Sequence, residues 1–159
     1  MEKNNLMIFL KTYLFFCFFS ILLFSNSINA TNKSEEYIKL IINSHEALVE
    51  VAKTEQKRQK GLMYKKSLRK DEGMIFKFRK KIMACMWMKN TLIPLSVAFI
   101  DEKQRIINIE KMKPNTYKPH CSKKLALYAL EMNINWFEEK KILKGSIVVG
   151  LNKILIIQN

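Results

Sequence analysis

Histidine, proline, glycine and arginine are all scarce in this 159-residue chain, which holds two, three, four and four of them. Two histidines, His45 and His120, do not make the clustered imidazole set of a typical transition-metal centre. No serine occupies a strand-to-helix elbow of the kind that exposes a nucleophile, so no hydrolytic triad can be read. Lysines outnumber arginines 24 to 4 and are scattered along the whole chain. Arginine is the side chain that best matches phosphate and base edges in two-pronged fashion, so nucleic acid is not an expected partner. Internal repeats and linkers are also lacking, and one domain is expected.

What is present begins with a targeting signature. Lys3 and Lys11 precede the apolar run from Tyr13 to Phe24, and Ile28 and Ala30 stand at the −3 and −1 positions of a signal-peptidase site. The run is short for a bilayer span, so residues 1–30 are expected to be a cleaved signal peptide, with an uncleaved membrane anchor as the alternative. The remaining 129 residues carry 26 basic against 13 acidic side chains. Many lysines, isoleucines and asparagines with few glycines are also what a biased genomic base composition produces. The excess of +13 is therefore assigned first to a solvated surface and second to contact with an anionic envelope surface. Periplasmic or secreted localisation and a monomeric state are expected.

Cleavage would leave two cysteines, Cys85 and Cys121, which in an oxidising compartment have one possible pairing. A disulfide between them and a pair of free thiols are both open.

Along the chain, residues 36–42 read as an early strand buried on both faces or nearly so, 43–46 as a turn and 47–52 as its hairpin partner. Thr54 caps a polar helix over 55–60 that Gly61 ends, with Leu62 and Met63 docking it. Lys65 to Asp71 is helical or looped. Gly73 is expected at a turn into a strand over 74–78, with Arg79-Lys80-Lys81 as a basic turn before the strand that holds Met86 and Trp87. Residues 97–101 pair with 105–110 across a short turn, and 111–122 form the longest loop. Leu125 to Met132 is an apolar strand with Glu131 inside it. Asn133 caps a helix over 134–140 that buries Trp136 and Phe137, and 146–157 is a strand bent at Gly150.

The stretch from Met83 to Asp101 carries the candidate site. It reads as strand, crossover, strand, and the break gathers Trp87, Lys89, Asn90 and Thr91 at one strand end. An indole, an ammonium, an amide and a hydroxyl there suit either a ligand or a crossover tied down by backbone bonds. Glu131 needs a partner if buried, and Lys89 is the candidate, as a structural ion pair or an acid–base pair.

Gly61-Leu62-Met63, Gly73-Met74-Ile75-Phe76, Trp87-Met88-Lys89-Asn90-Thr91 with Ile93-Pro94-Leu95, and Ala129-Leu130-Glu131 together resemble the family known as domain of unknown function 192, from about Val49 to Gly150. The resemblance implies an α+β domain, mostly antiparallel strands curled into a barrel-like sheet with two or three short helices. It also implies export in many members, and it names no activity. Gly61, Met63, Gly73 and Pro94 take structural roles in this reading. One departure stands out: Ser96 occupies a position where many members carry Asp.

The expected function is a small-ligand-binding module whose pocket is formed by Trp87, Lys89, Asn90, Thr91 and Glu131 and takes a small polar or anionic ligand, with no cofactor and no metal. One alternative is an envelope hydrolase or transferase using Lys89 and Glu131. Another is a copper protein using Met86, Met88, His120 and Cys121, against which stands methionine's ordinary use as core filler.

Overall fold

A computed structural model describes residues 37–156; the expected signal peptide lies outside the described residues. Strands β1 (Tyr37–Ile42) and β2 (His45–Ala52) form a hairpin closed by Asn43 and Ser44 alone. Both of these residues have positive φ, 46° and 66°, the twist that a two-residue hairpin loop requires. β1 alternates between buried and solvent-facing residues, so the expectation of two buried faces is corrected: only Ile38, Leu40 and Ile42 point inward.

Helix α1 (Glu55–Lys60) starts where the Thr54 hydroxyl accepts the Lys57 N–H at 3.1 Å and stops at Gly61, φ 49°. Lys65 to Asp71 contains no helix. β3 (Glu72–Ile82) then runs parallel to β2, from Leu48 opposite Glu72 to Ala52 opposite Phe76. The sheet is therefore mixed, because an α-helical crossover returns the chain in the same direction. No turn occurs at Arg79-Lys80-Lys81. β3 continues through them past the end of β2, with an irregular register against β8 between Lys77 and Ile82 that lets three exposed cations sit in a strand. Gly73 lies inside this strand rather than at a turn. A Cβ there would collide with the Glu131 carbonyl oxygen and the Met132 sulfur, so close strand approach explains the glycine.

β4 (Cys85–Met86) is short and leaves Trp87 just beyond it. β5 (Leu95–Ile100) and β6 (Ile106–Met112) form the expected hairpin, its loop held by Asp101 Oδ1 accepting from Lys103 and Arg105 N–H groups. The loop that follows is shorter than expected, because β6 reaches Met112 and β7 (His120–Cys121) pairs with β4.

β8 (Ala126–Asn133) lies between β3 and β5. Asn133 does not cap a helix: it ends β8 opposite Leu95, and its amide donates to the Arg69 carbonyl at 2.8 Å. The turn into α2 (Trp136–Glu139) falls at Asn135, φ 64°. The expected last strand is only β9 (Val148–Val149), which Gly150, φ 104°, separates from α3 (Lys153–Ile156).

The seven-stranded order is β6-β5-β8-β3-β2-β1-β9. Residues 145–149 bond to both ends of it: Val148 and Val149 pair with β1, while Arg105 bridges Ile147 and the Ile106 N–H donates to the Ser146 carbonyl. The sheet thus curls into a barrel-like form. All seven strands supply the inner core, including Leu40, Val49, Ile75, Ala98, Ile106, Leu130 and Val148, joined by Trp136 and Phe137. A second core lies on the other face, where Met74, Phe76, Val97 and Phe99 meet Leu62, Ala84 and Met88 from the connecting segments. β5 is buried on both faces and has no polar side but Ser96.

Candidate functional site

The second face is incompletely covered. Between α1 with its following turn, the far half of β3 and the segment from Cys85 to Thr91 lies a cavity of about 770 Å³, within the range of small-molecule sites. Trp87, Lys89, Asn90, Thr91 and Glu131 all line it, as do Gly61 and Met63. The residues that the sequence groups by chemistry are therefore gathered in space.

Their roles divide. The Asn90 amide donates to the Tyr64 hydroxyl at 2.9 Å, and the Tyr64 N–H donates to the Asn90 carbonyl at 2.9 Å. Both residues have positive φ, so two strained turns brace each other. Thr91 is buried; its hydroxyl donates to the Lys89 carbonyl at 3.3 Å and its carbonyl accepts the Asn115 N–H at 3.0 Å. These two side chains hold the crossover. Pro94 ends it, its carbonyl accepting the Ile134 N–H at 3.2 Å.

Trp87 and Lys89 remain available. The indole is half exposed and stands edge-on to Tyr117, centroids 6.3 Å apart. The Lys89 ammonium lies 5.6 Å from the centre of that indole, a cation–π contact.

Glu131 is buried on β8 between Met74 of β3 and Val97 of β5. Among the described residues nothing donates a hydrogen bond to its carboxylate or pairs with it, Lys89 included, so the expected Lys89–Glu131 ion pair is corrected. Burial pushes the carboxyl up to about 8. At neutral pH it is mostly uncharged.

Four further cations, Arg58, Lys60, Arg79 and Lys80, line the same cavity. Arg58 is committed, to Glu55 at 2.7 Å and the Lys53 carbonyl at 2.9 Å, and it holds the Glu55 carboxyl below its ordinary value. Glu55, Arg58 and Gln59 sit three and four residues apart and so share one helix face, a signal present in the sequence that becomes meaningful only once the helix is docked. With Glu131 neutral and Glu55 paired, the cavity is strongly electropositive.

Cys85 and Cys121 face each other across β4 and β7 and are joined, Cα atoms 4.0 Å apart. Their bond removes the thiolate from the copper alternative, and Met88 is fully buried in the second core. Met86 and His120 are left opposite each other. Ser96 lies on the inner face with Ala98 and Ile100, its hydroxyl accepting the Asn135 N–H at 3.2 Å. The departure at this position concerns the turn into α2 and not the cavity.

Residues 38–150 match the sequence profile of DUF192, described as an uncharacterized ACR. Two solved structures are similar to this one. The first is from Sinorhizobium meliloti 1021 and is described as a candidate transcription regulator; it is 32% identical, with TM-score 0.67, covering 73% of this chain and 93% of its own. The second, of unknown function, is from Novosphingobium aromaticivorans DSM 12444; it is 30% identical, with TM-score 0.67, covering 72% of this chain and 85% of its own. No curated protein sequence matches. By profile, identity and shared coverage, this chain belongs to the DUF192 family.

Proposed function

We propose that this protein is an exported binding module of the cell envelope whose outer-face cavity takes a small anionic ligand. The observation that carries the reading is the convergence of Lys60, Arg79, Lys80 and Lys89 on one cavity with apolar walls, where the one acid on the sheet floor is neutral at physiological pH. The N-terminal apolar segment and the Cys85–Cys121 bond support export. The regulatory description of the Sinorhizobium relative is not carried over: the longest helix among the described residues has six residues, which leaves a helix-turn-helix reading without a recognition helix.

The test is thermal unfolding of the wild type and Lys89→Ala against a panel of carboxylates and phosphate monoesters. Lys89→Ala should melt where the wild type does and lose the ligand-induced shift. An undiminished shift would count against the reading.

A second reading is favoured by Glu131 alone. A carboxyl held protonated at neutral pH beside a cavity is placed for general-acid work in a hydrolase or transferase. Turnover of a bound ester that Glu131→Gln abolishes would select it.

A further inference from the structure

Glu131 is the unexplained group of the cavity. Glu50 and Glu110 lie in the same cross-strand row of this face, and each has a partner: Glu50 has Lys57 and Lys65, and Glu110 accepts from the Asn108 amide at 3.1 Å. Glu131, between them, has apolar neighbours and no donor among the described residues, yet it faces the cavity. A buried carboxyl without a partner costs stability that an apolar residue of its size would not. The position is best explained if something entering the cavity hydrogen-bonds to it.

The surroundings restrict what that group is. A cationic end, such as an ammonium, would pass Lys60, Arg79, Lys80 and Lys89 and would then require two desolvated ions on the floor. A neutral hydrogen-bonding group avoids both costs. Lys60, Arg79 and Lys80 are exposed and Lys89 is half-buried, whereas Glu131 is buried, so one ligand that satisfies both carries its charge and its neutral polar group at opposite ends. Phe76, Phe78 and Met86 give the same cavity apolar lining, and its volume of about 770 Å³ is far larger than a single inorganic anion.

Building on the anion-binding reading, we infer that the ligand is an anion with an apolar body and a hydroxyl at the end remote from its charge, and that this hydroxyl, both donor and acceptor, exchanges hydrogen bonds with the Glu131 carboxyl. Glu131 is on this account a specificity residue. It rejects the deoxy analogue because its own oxygen would then stay unpaired.

The experiment is calorimetric titration of the mature protein with a graded series of straight-chain alkanoates and arylalkanoates, each compared with its terminal hydroxy counterpart and with the methyl ether of that counterpart. In the wild type the best hydroxy compound should bind about tenfold more tightly than its deoxy analogue, a difference of about 1.4 kcal/mol, with the methyl ether, which can only accept, between the two. Glu131→Gln, which keeps a carbonyl acceptor, should retain most of the preference. Glu131→Leu should bind deoxy and hydroxy compounds alike. Equal binding of the pairs by the wild type, or an intact preference in Glu131→Leu, would overturn the inference and leave the anion site standing. Failure of every anion in the series to bind the wild type would remove that site and the inference with it. If Glu131→Leu does not fold, the wild-type comparison and Glu131→Gln still decide.

Discussion

Glu50 and Glu131 stand in one row of the sheet, separated by Met74 alone, and are equally buried, but only Glu50 is met by cations. Lys57 Nζ lies 2.7 Å from one of its oxygens and Lys65 Nζ 3.5 Å from the other. Two acids in the same backbone setting thus have opposite energetics. Glu50→Gln leaves two ammonium groups without their counter-charge and should cost about 2 kcal/mol, less than for a fully buried pair because both lysines keep some solvent. Glu131→Gln should be neutral or stabilising at pH 7. Urea denaturation of the two variants measures the contrast, and equal losses would refute it.

The same residue sets a pH dependence. The Glu131 carboxyl rises from 4.5 to about 8 on folding, so between those values the folded state holds a proton that the unfolded state has released. Stability should therefore be greatest below about pH 4.5 as far as this group is concerned. It should fall as pH rises toward 8, by up to about 1.4 kcal/mol per pH unit, and level off above. Asp71 and the other carboxylates held below their ordinary values act in the opposite sense at more acid pH. The difference between wild type and Glu131→Gln, measured from pH 5 to 9, isolates the Glu131 contribution; parallel curves would remove it.

The Cys85–Cys121 bond closes a separation of 36 residues, for which the loop-entropy relation gives about 4 kcal/mol. Reduction, or replacement of both cysteines by serine, should lower the urea midpoint accordingly. Cys85 also lines the cavity, so anion affinity should weaken with it. Unchanged affinity in the reduced protein would show that β4 holds its place without the bond.

The hairpins were legible because their signals are local: Asn43-Ser44 supplies the positive φ of a tight turn, and β5 and β6 show their apolar runs on either side of one polar break. Glu131 was legible as a lone acid in an apolar strand. What depends on packing was not. Asn133 has the chemistry of a helix cap, but pairing with Leu95 and the Arg69 carbonyl keep it in β8. Arg79 to Lys81 look like a turn because nothing in their composition reveals a strand outrunning its neighbour. Lys89 and Glu131 share a cavity as the sequence suggested, but the ammonium lies over the Trp87 ring and does not pair with the acid.

Asp71 joins the start of β3 to the inner core through Trp136, whose indole N–H donates to Asp71 Oδ1 at 2.9 Å. Lys140 Nζ lies 3.0 Å from the same oxygen and 5.2 Å from the indole centre. The bond from Trp136, and after it that from Lys140, holds the Asp71 carboxyl below its ordinary value. Asp71→Ala leaves a buried indole N–H without its acceptor, which should cost about 1 to 3 kcal/mol, whereas Asp71→Asn keeps an oxygen in place and should cost less. Because the folded value is depressed, the contribution of Asp71 is present at neutral pH and is lost as pH falls through the acid range below 3.8. Urea titrations of both variants at pH 7 test the order. A loss in Asp71→Asn equal to that in Asp71→Ala would mean that the charge, and not the acceptor for Trp136, is what this carboxylate supplies.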